Sequence, residues 1–255
     1  MNIQLNGKIA LVTGASGGIG QGIAIMLAKS GAKVAVNYLN NEAGANETVA
    51  QIEAAGGEGK AFRADVTKVE EVERLVAEVE QAFGGPVGIL INNAGHLVSR
   101  LNNADMTEQL YEQVMDVNFK STVFACKAVL AGMKRSGGGR IVNLTSVAAH
   151  NGGGAGASIY AASKAAVMAY TKGLAKEVAA DGILVNAISP GFIGETAFHS
   201  TFTPEAARQA TIKGIPLGRE GLPLDVAGSA LFLVSELSSY LTGETIEING
   251  GMFMR

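Results

Sequence analysis

Two side chains four residues apart, Tyr160 and Lys164 in "YAASK" (160–164), carry groups that could move a proton. On a helix such a pair lies on one face, one turn apart. A free phenol, with a pKa near ~10, is a poor acid or base at neutral pH. A cation held beside it favours the phenolate and brings the group toward useful chemistry. The same spacing also occurs on helix surfaces as an aromatic beside a solvated lysine, so the pair alone leaves both readings open. Ser146 closes the apolar run "RIVNLTS" (140–146), where a serine can cap a helix or hold a turn. In "TGASGGIG" (13–20), Gly14 permits a tight turn, and Gly18 and Gly20 let backbone approach a pyrophosphate at a helix N-terminus. An ordinary strand-to-helix turn would use glycine as well.

These residues need elements to position them. Short apolar runs at 8–13, 33–38, 59–64, 87–92, 140–146, 183–189 and 244–249 have strand length, and several are apolar on both faces, as in a buried parallel sheet. Helical stripes lie between them: Ile19, Ile23, Met26 and Leu27 in one, Val69, Val72, Val76 and Val79 within 66–83 in another. Gly31 and Gly84 stand where these helices should end. The alternation predicts an α/β fold: a Rossmann-like doubly wound parallel sheet with helices on both faces and right-handed crossovers. No linker or composition break divides residues 1–255, so one domain is expected. The segment 190–222 reads as an irregular loop beside the crevice at the strand ends.

Composition narrows the function. With 47% hydrophobic and 17% charged residues the chain is globular, and a net charge of -3 without long runs of one sign gives no footprint for nucleic acid or an anionic membrane. One cysteine, Cys126, excludes an internal disulfide and reads as a small core residue. His96, His150 and His199 match no metal-ligand spacing, so no metal is expected, and each reads as a surface or pocket-lining residue. The start lacks the apolar stretch of a signal peptide and no run is long enough to span a membrane, so a cytoplasmic protein is expected.

Taken together, T-G-x-x-x-G-I-G at the first turn, "NNAG" at 92–95, Asn118 in "DVNFKS", Ser146, the Y-x-x-x-K pair and "PG" at 190–191 resemble the short-chain dehydrogenase/reductase family, in order and over essentially the whole chain. Within it, "RADVT" (63–67), "VNAISPGFI" (185–193) and "LTGETIEINGGMFM" (241–254) look most like β-ketoacyl-acyl-carrier-protein reductases. The resemblance implies an NAD(P)(H)-dependent oxidoreductase that interconverts a ketone and a secondary alcohol, as a homotetramer. Its most specific form is 3-oxoacyl-[acyl-carrier-protein] reduction. The alternatives are a dehydrogenase of a sugar, polyol, steroid or other small hydroxy-compound, and a cofactor-binding protein without catalysis. The last conflicts with the intact Ser146, Tyr160 and Lys164.

By the same resemblance Tyr160 is the general acid, Lys164 lowers its pKa and holds the nicotinamide ribose, Ser146 polarises the substrate oxygen, and Asn118 supports a proton relay through its backbone carbonyl. The cofactor would meet Gly14, Ser16, Gly18, Ile19, Gly20, Tyr38, Asp65, Val66, Asn92, Ala94, Gly95, Pro190, Gly191 and Ile193, besides Tyr160 and Lys164. Asp65 could equally cap a helix. Tyr38 stands where NAD enzymes carry aspartate, which modestly favours NADP(H) over NAD(H), although Gly17 and Leu39 supply no cation. Lys127, Lys134, Arg135 and Lys176 could offer a basic patch to an acidic carrier protein. "PGFIGET" (190–196) is one residue longer than the usual family loop, which puts the reach of Thr196 to the nicotinamide in question.

Overall fold

The computed structural model describes residues 3–196 and 204–254. Seven parallel strands form one sheet: β1 (Ile9–Val12), β2 (Lys33–Tyr38), β3 (Glu58–Arg63), β4 (Ile89–Asn92), β5 (Gly139–Leu144), β6 (Ile183–Pro190) and β7 (Thr245–Ile248), in the order β3-β2-β1-β4-β5-β6-β7. Each expected strand is present. The apolar runs are strands because both their faces are covered: Ile9–Val12 and Ile89–Asn92 are buried at every position.

One face packs on α1 (Gly18–Lys29) and α2 (Glu42–Ala54), the other on α3 (Val69–Phe83), α5 (Ser121–Arg135) and α7 (Ser158–Val178). The stripes read from the sequence point inward. Ile23 and Leu27 of α1 enter the first core, and Val72, Leu75, Val76 and Val79 of α3 enter the second. Between α3 and α5 lie α4 (Glu108–Met115) and a π-helical turn (Asp116–Lys120); α6 (Ala148–Asn151) follows β5. The chain closes with α8 (Glu205–Lys213), α9 (Pro223–Val234) and β7.

Three boundaries differ from expectation for local reasons. α3 starts at Val69 instead of 66, because Asp65 Oδ1 accepts from Thr67 N at 2.9 Å and from Thr67 Oγ1 at 2.7 Å, a turn that competes with helix. Gly84 closes α3 in the left-handed region, but α1 ends on Ser30, with Gly31 (φ 93) one residue beyond. The stretch 190–222, expected as loop, contains α8.

β1 and β4 are neighbours whose following helices leave to opposite faces, since α1 joins one core and α5 the other. The crevice opened there, beyond the carboxyl ends of the strands, is where this topology places ligands.

Candidate active site

A cleft of about 810 Å³ occupies that crevice. The glycine turn forms its floor. Gly14 (φ 62) and Gly18 (φ 54) hold left-handed backbone, and a Cβ on Gly20 would lie 2.5 Å from Asn93 Nδ2 and 2.6 Å from the Gly14 carbonyl. The turn is fastened to the end of β4. Asn93 Nδ2 donates to the carbonyls of Thr13 (2.9 Å) and Gly14 (3.0 Å), while Thr13 Oγ1 accepts from the backbone of Asn93 and Ala94, each at 3.0 Å. Ser16, Gly17, Gly18 and Ile19 line the cleft where α1 begins. Nothing lies within 4 Å of where a Gly17 Cβ would be. Bare backbone at a helix N-terminus suits a dinucleotide pyrophosphate, so these residues fit the expected cofactor.

The opposite wall carries Ser146, Tyr160 and Lys164. Ser146 follows β5 and its Oγ accepts from Ala148 N at 3.2 Å. Lys164 is 4% exposed, and its Nζ donates to the Leu144 carbonyl at 2.9 Å and lies 5.9 Å from the Tyr160 ring centre. Burial holds the Lys164 ammonium down to about 8. Burial is also the largest influence on Tyr160 and raises its pKa, opposed by a hydrogen bond with Ser146. Burial outweighs that hydrogen bond, and the raised pKa keeps Tyr160 in the protonated form that can donate.

Asn118 is fully buried in the π-helical turn, whose wider winding lets its amide face the strand ends. Its Nδ2 donates to the carbonyls of His96 (2.7 Å) and Val114 (2.8 Å), and its Oδ1 accepts from His96 N at 3.1 Å. A Cβ on Gly95 would lie 2.7 Å from Asn118 Oδ1 and 2.8 Å from Lys164 Nζ, so glycine is required there. The Asn118 carbonyl, expected to serve a relay, accepts from Thr122 Oγ1 at 3.0 Å.

A family model described as enoyl-(acyl carrier protein) reductase matches residues 14–253. The 3-oxoacyl-[acyl-carrier-protein] reductase FabG of Vibrio cholerae serotype O1 is 43% identical over 99% of this chain and 100% of its own length. That of Staphylococcus epidermidis is 41% identical over 97% and 99%. The chain belongs to the short-chain dehydrogenase/reductase family. As a member it is an oxidoreductase acting between alcohol and carbonyl. Its fold matches a Sinorhizobium meliloti 1021 protein assigned as a short-chain alcohol dehydrogenase (TM-score 0.93, 37% identity, 99% of this chain and 98% of that one). It also matches the NADH-dependent reductase A1-R′ responsible for alginate metabolism (TM-score 0.89, 34% identity, 98% and 99%).

Of the residues expected at the site, Gly14, Ser16, Gly18, Ile19, Gly95, Ser146, Tyr160, Lys164, Pro190, Gly191 and Ile193 line the cleft. The others lie around it rather than in its lining. Tyr38 is buried in the core against α1 and α2, and Val66 in the core of the other face. Asp65 spends one oxygen on the Thr67 turn. Asn92 donates to Asn143 Oδ1 (2.9 Å) and Cys126 Sγ (3.3 Å) inside the sheet. Ala94 and Gly20 pack around the glycine turn. Cys126 is buried, as expected, with its thiol pushed up to about 12 by burial. Thr196 reaches the cleft. Its Oγ1 donates to the Ile193 carbonyl at 3.1 Å, its methyl lies 3.3 Å from where a Gly18 Cβ would be, and Glu195 beside it sits at φ 55. His96 lines the cleft, His150 is paired with Glu247 at 2.8 Å, and His199 lies outside the described residues.

Sequence reading missed Asn93 and Thr13. The doubled asparagine of "NNAG" was the signal for Asn93: alternate strand residues face opposite ways, so only one of the two can face the core. Among the described residues no group of three or more His, Cys, Asp or Glu could hold a metal ion.

Tyr160→Phe deletes only the phenol oxygen. It should keep the fold and cofactor affinity and lose turnover by ~10²–10⁴-fold, the usual weight of a positioned acid. In the wild type, kcat/KM for carbonyl reduction should fall as pH rises through the raised phenol pKa, while alcohol oxidation should rise with pH because it needs the phenolate. Steady-state rates in both directions against pH check this. Near-normal turnover in the mutant would remove Tyr160 from its role.

Proposed function

We propose that this protein reduces 3-oxoacyl groups, best on acyl-carrier-protein thioesters, to the 3-hydroxy form, and that NADP(H) is its preferred cofactor. The observation that carries the reading is the convergence of Ser146, Tyr160 and Lys164 on one cleft wall, facing a bare-backbone glycine turn. The bound nicotinamide supplies hydride to the carbonyl carbon. Tyr160 donates its phenolic proton to the carbonyl oxygen as that carbon is reduced, and Ser146 holds the oxygen by hydrogen bonding. Lys164, anchored on the Leu144 carbonyl, keeps a positive charge beside the phenolate left behind.

The carrier protein is supported by the relatives' activity, not by the expected basic patch. Lys127 is paired with Glu73 at 3.7 Å and Lys134 with Asp181 at 2.9 Å. A second reading, a dehydrogenase of a sugar or other small hydroxy-compound, draws on the likeness to the reductase of alginate metabolism. Rates on acetoacetyl thioester, trans-2-enoyl thioester, neutral ketones, sugars and polyols with each cofactor separate these. The 3-oxo thioester should lead in kcat/KM by about tenfold, a difference of ~1.4 kcal/mol. Preference for the enoyl thioester or for a sugar would replace the proposal.

NADP(H) is supported by two features. Among the described residues no carboxylate lines the cleft, and Arg63, whose Nε donates to the Leu39 carbonyl at 3.1 Å, sets a guanidinium beside the loop after β2. Because the Tyr38 ring is core, aspartate there would be buried, whereas Asn41 lines the cleft and donates to the Ser16 carbonyl at 3.3 Å. Asn41→Asp should lower the NADPH:NADH ratio of kcat/KM about fivefold. That takes a quarter of the ~4 kcal/mol between unit charges 4 Å apart at a dielectric of about 20. An unchanged ratio would show that the 2′-phosphate is held elsewhere.

We further propose a cytoplasmic homotetramer. α7 leaves small residues at its surface, with Ala162, Ala169 and Gly173 exposed, so a symmetry mate could approach closely. Among the described residues no helix is long and apolar enough to cross a membrane. Sedimentation equilibrium at micromolar protein should return four chains, and a monomer would refute the assembly.

A further inference from the structure

The cleft has an uneven charge. Its lining contains Arg100, His96 and Lys164 but no aspartate or glutamate among the described residues. Lys164 is buried and committed to the Leu144 carbonyl. Arg100 is exposed at the wall shared with the loop before Tyr160. Its Nη1 donates to the Ala155 carbonyl at 2.9 Å, which leaves most of its five N–H donors unused. Arg74, Arg140, Arg208 and Arg219 are each paired with a carboxylate. Arg100 is joined to none among the described residues.

The backbone around Arg100 is over-determined. Asn118 grips both backbone polar groups of His96, and His96 Nδ1 accepts from Val98 N at 2.7 Å. Val98 sits at φ 64, a left-handed conformation that a β-branched residue adopts only when its surroundings impose it. Three residues on, Leu101 N donates to the Gly156 carbonyl at 3.2 Å and joins this loop to the glycine loop. A Cβ on Gly156 (φ 73) would lie 2.9 Å from Leu101 N and 3.1 Å from Arg100 Cβ. Strain at one residue and an obligatory glycine opposite thus serve one outcome: a guanidinium held at the cleft wall with its charge uncompensated.

We propose that Arg100 is an anion subsite, selecting ketones that carry a carboxylate or phosphate group away from the reacting carbon. The inference rests on the ketone-reductase reading and adds its substrate class. A guanidinium fork suits either anion, so a phosphate-bearing thioester carrier and a free keto acid share this chemistry.

Two matched pairs test it: acetoacetyl-coenzyme A against the neutral acetoacetyl-N-acetylcysteamine, and levulinate against its methyl ester. The readout is the anionic-to-neutral ratio of kcat/KM, from which any general disturbance of the loop cancels. Arg100→Gln should lower the ratio roughly tenfold, the lower end for a charge-assisted hydrogen bond. Arg100→Lys should retain most of it, and raising salt should shrink the wild-type ratio. A fall confined to the coenzyme A pair identifies a phosphate-bearing carrier, and one confined to levulinate identifies a carboxylate. Unchanged ratios in both pairs would overturn the subsite. Failure of the wild type to reduce any of the four would instead remove the ketone-reductase reading.

Discussion

The seam between β1 and β4 is the constraint on which the rest of the molecule depends. Parallel strands that lie side by side, with the chain leaving them toward opposite faces, necessarily part at their carboxyl ends. A gap of that kind would expose the polar backbone of both turns. The protein closes the account by hydrogen bonding one turn to the other: Thr13 and Asn93 exchange side-chain and backbone bonds across the seam. What remains uncovered is a stretch of glycine backbone at a helix start, the part of a polypeptide best suited to meet a phosphate.

The reacting wall is built by a different device. Lys164 projects from α7 under the end of β5, where the Leu144 carbonyl, the Asn118 amide and the absent side chain of Gly95 define the space for its ammonium. Thr145 Oγ1 donates to the Lys164 carbonyl at 2.8 Å, so the strand end that offers Ser146 also fixes the helix that offers Tyr160. The proton donor is therefore placed by a strand end, a π-helical turn and a glycine.

Strands, their order of appearance and the core faces of α1 and α3 were legible because burial writes a period into the sequence. Ser146, Tyr160 and Lys164 were legible because their types and spacing are unusual when found together. The burial that raises the Tyr160 pKa was not, since a sequence shows neighbours along a helix but not their enclosure. The side-chain surroundings of Tyr38, Asp65 and Asn92 were not legible either: the core, the Thr67 turn and Asn143 respectively. Which way a strand-end residue faces depends on register, and register depends on the partners across the sheet. The strained Val98 left no sequence signal at all.

A lysine buried without a carboxylate is a resident the fold would be more stable without. Its proton is held at about 8 in the folded chain against 10.5 for the ordinary side chain, a difference on the order of 3 kcal/mol. The sign follows from proton counting. Between those two values the unfolded chain binds the proton and the folded chain does not, so stability climbs with alkalinity across that window, and below it the full burden is carried. At neutral pH the molecule thus holds a debt in its own architecture, and a partner that hydrogen-bonds the ammonium discharges it. Occupancy of the cleft and rigidity of the scaffold are in this way two faces of a single equilibrium.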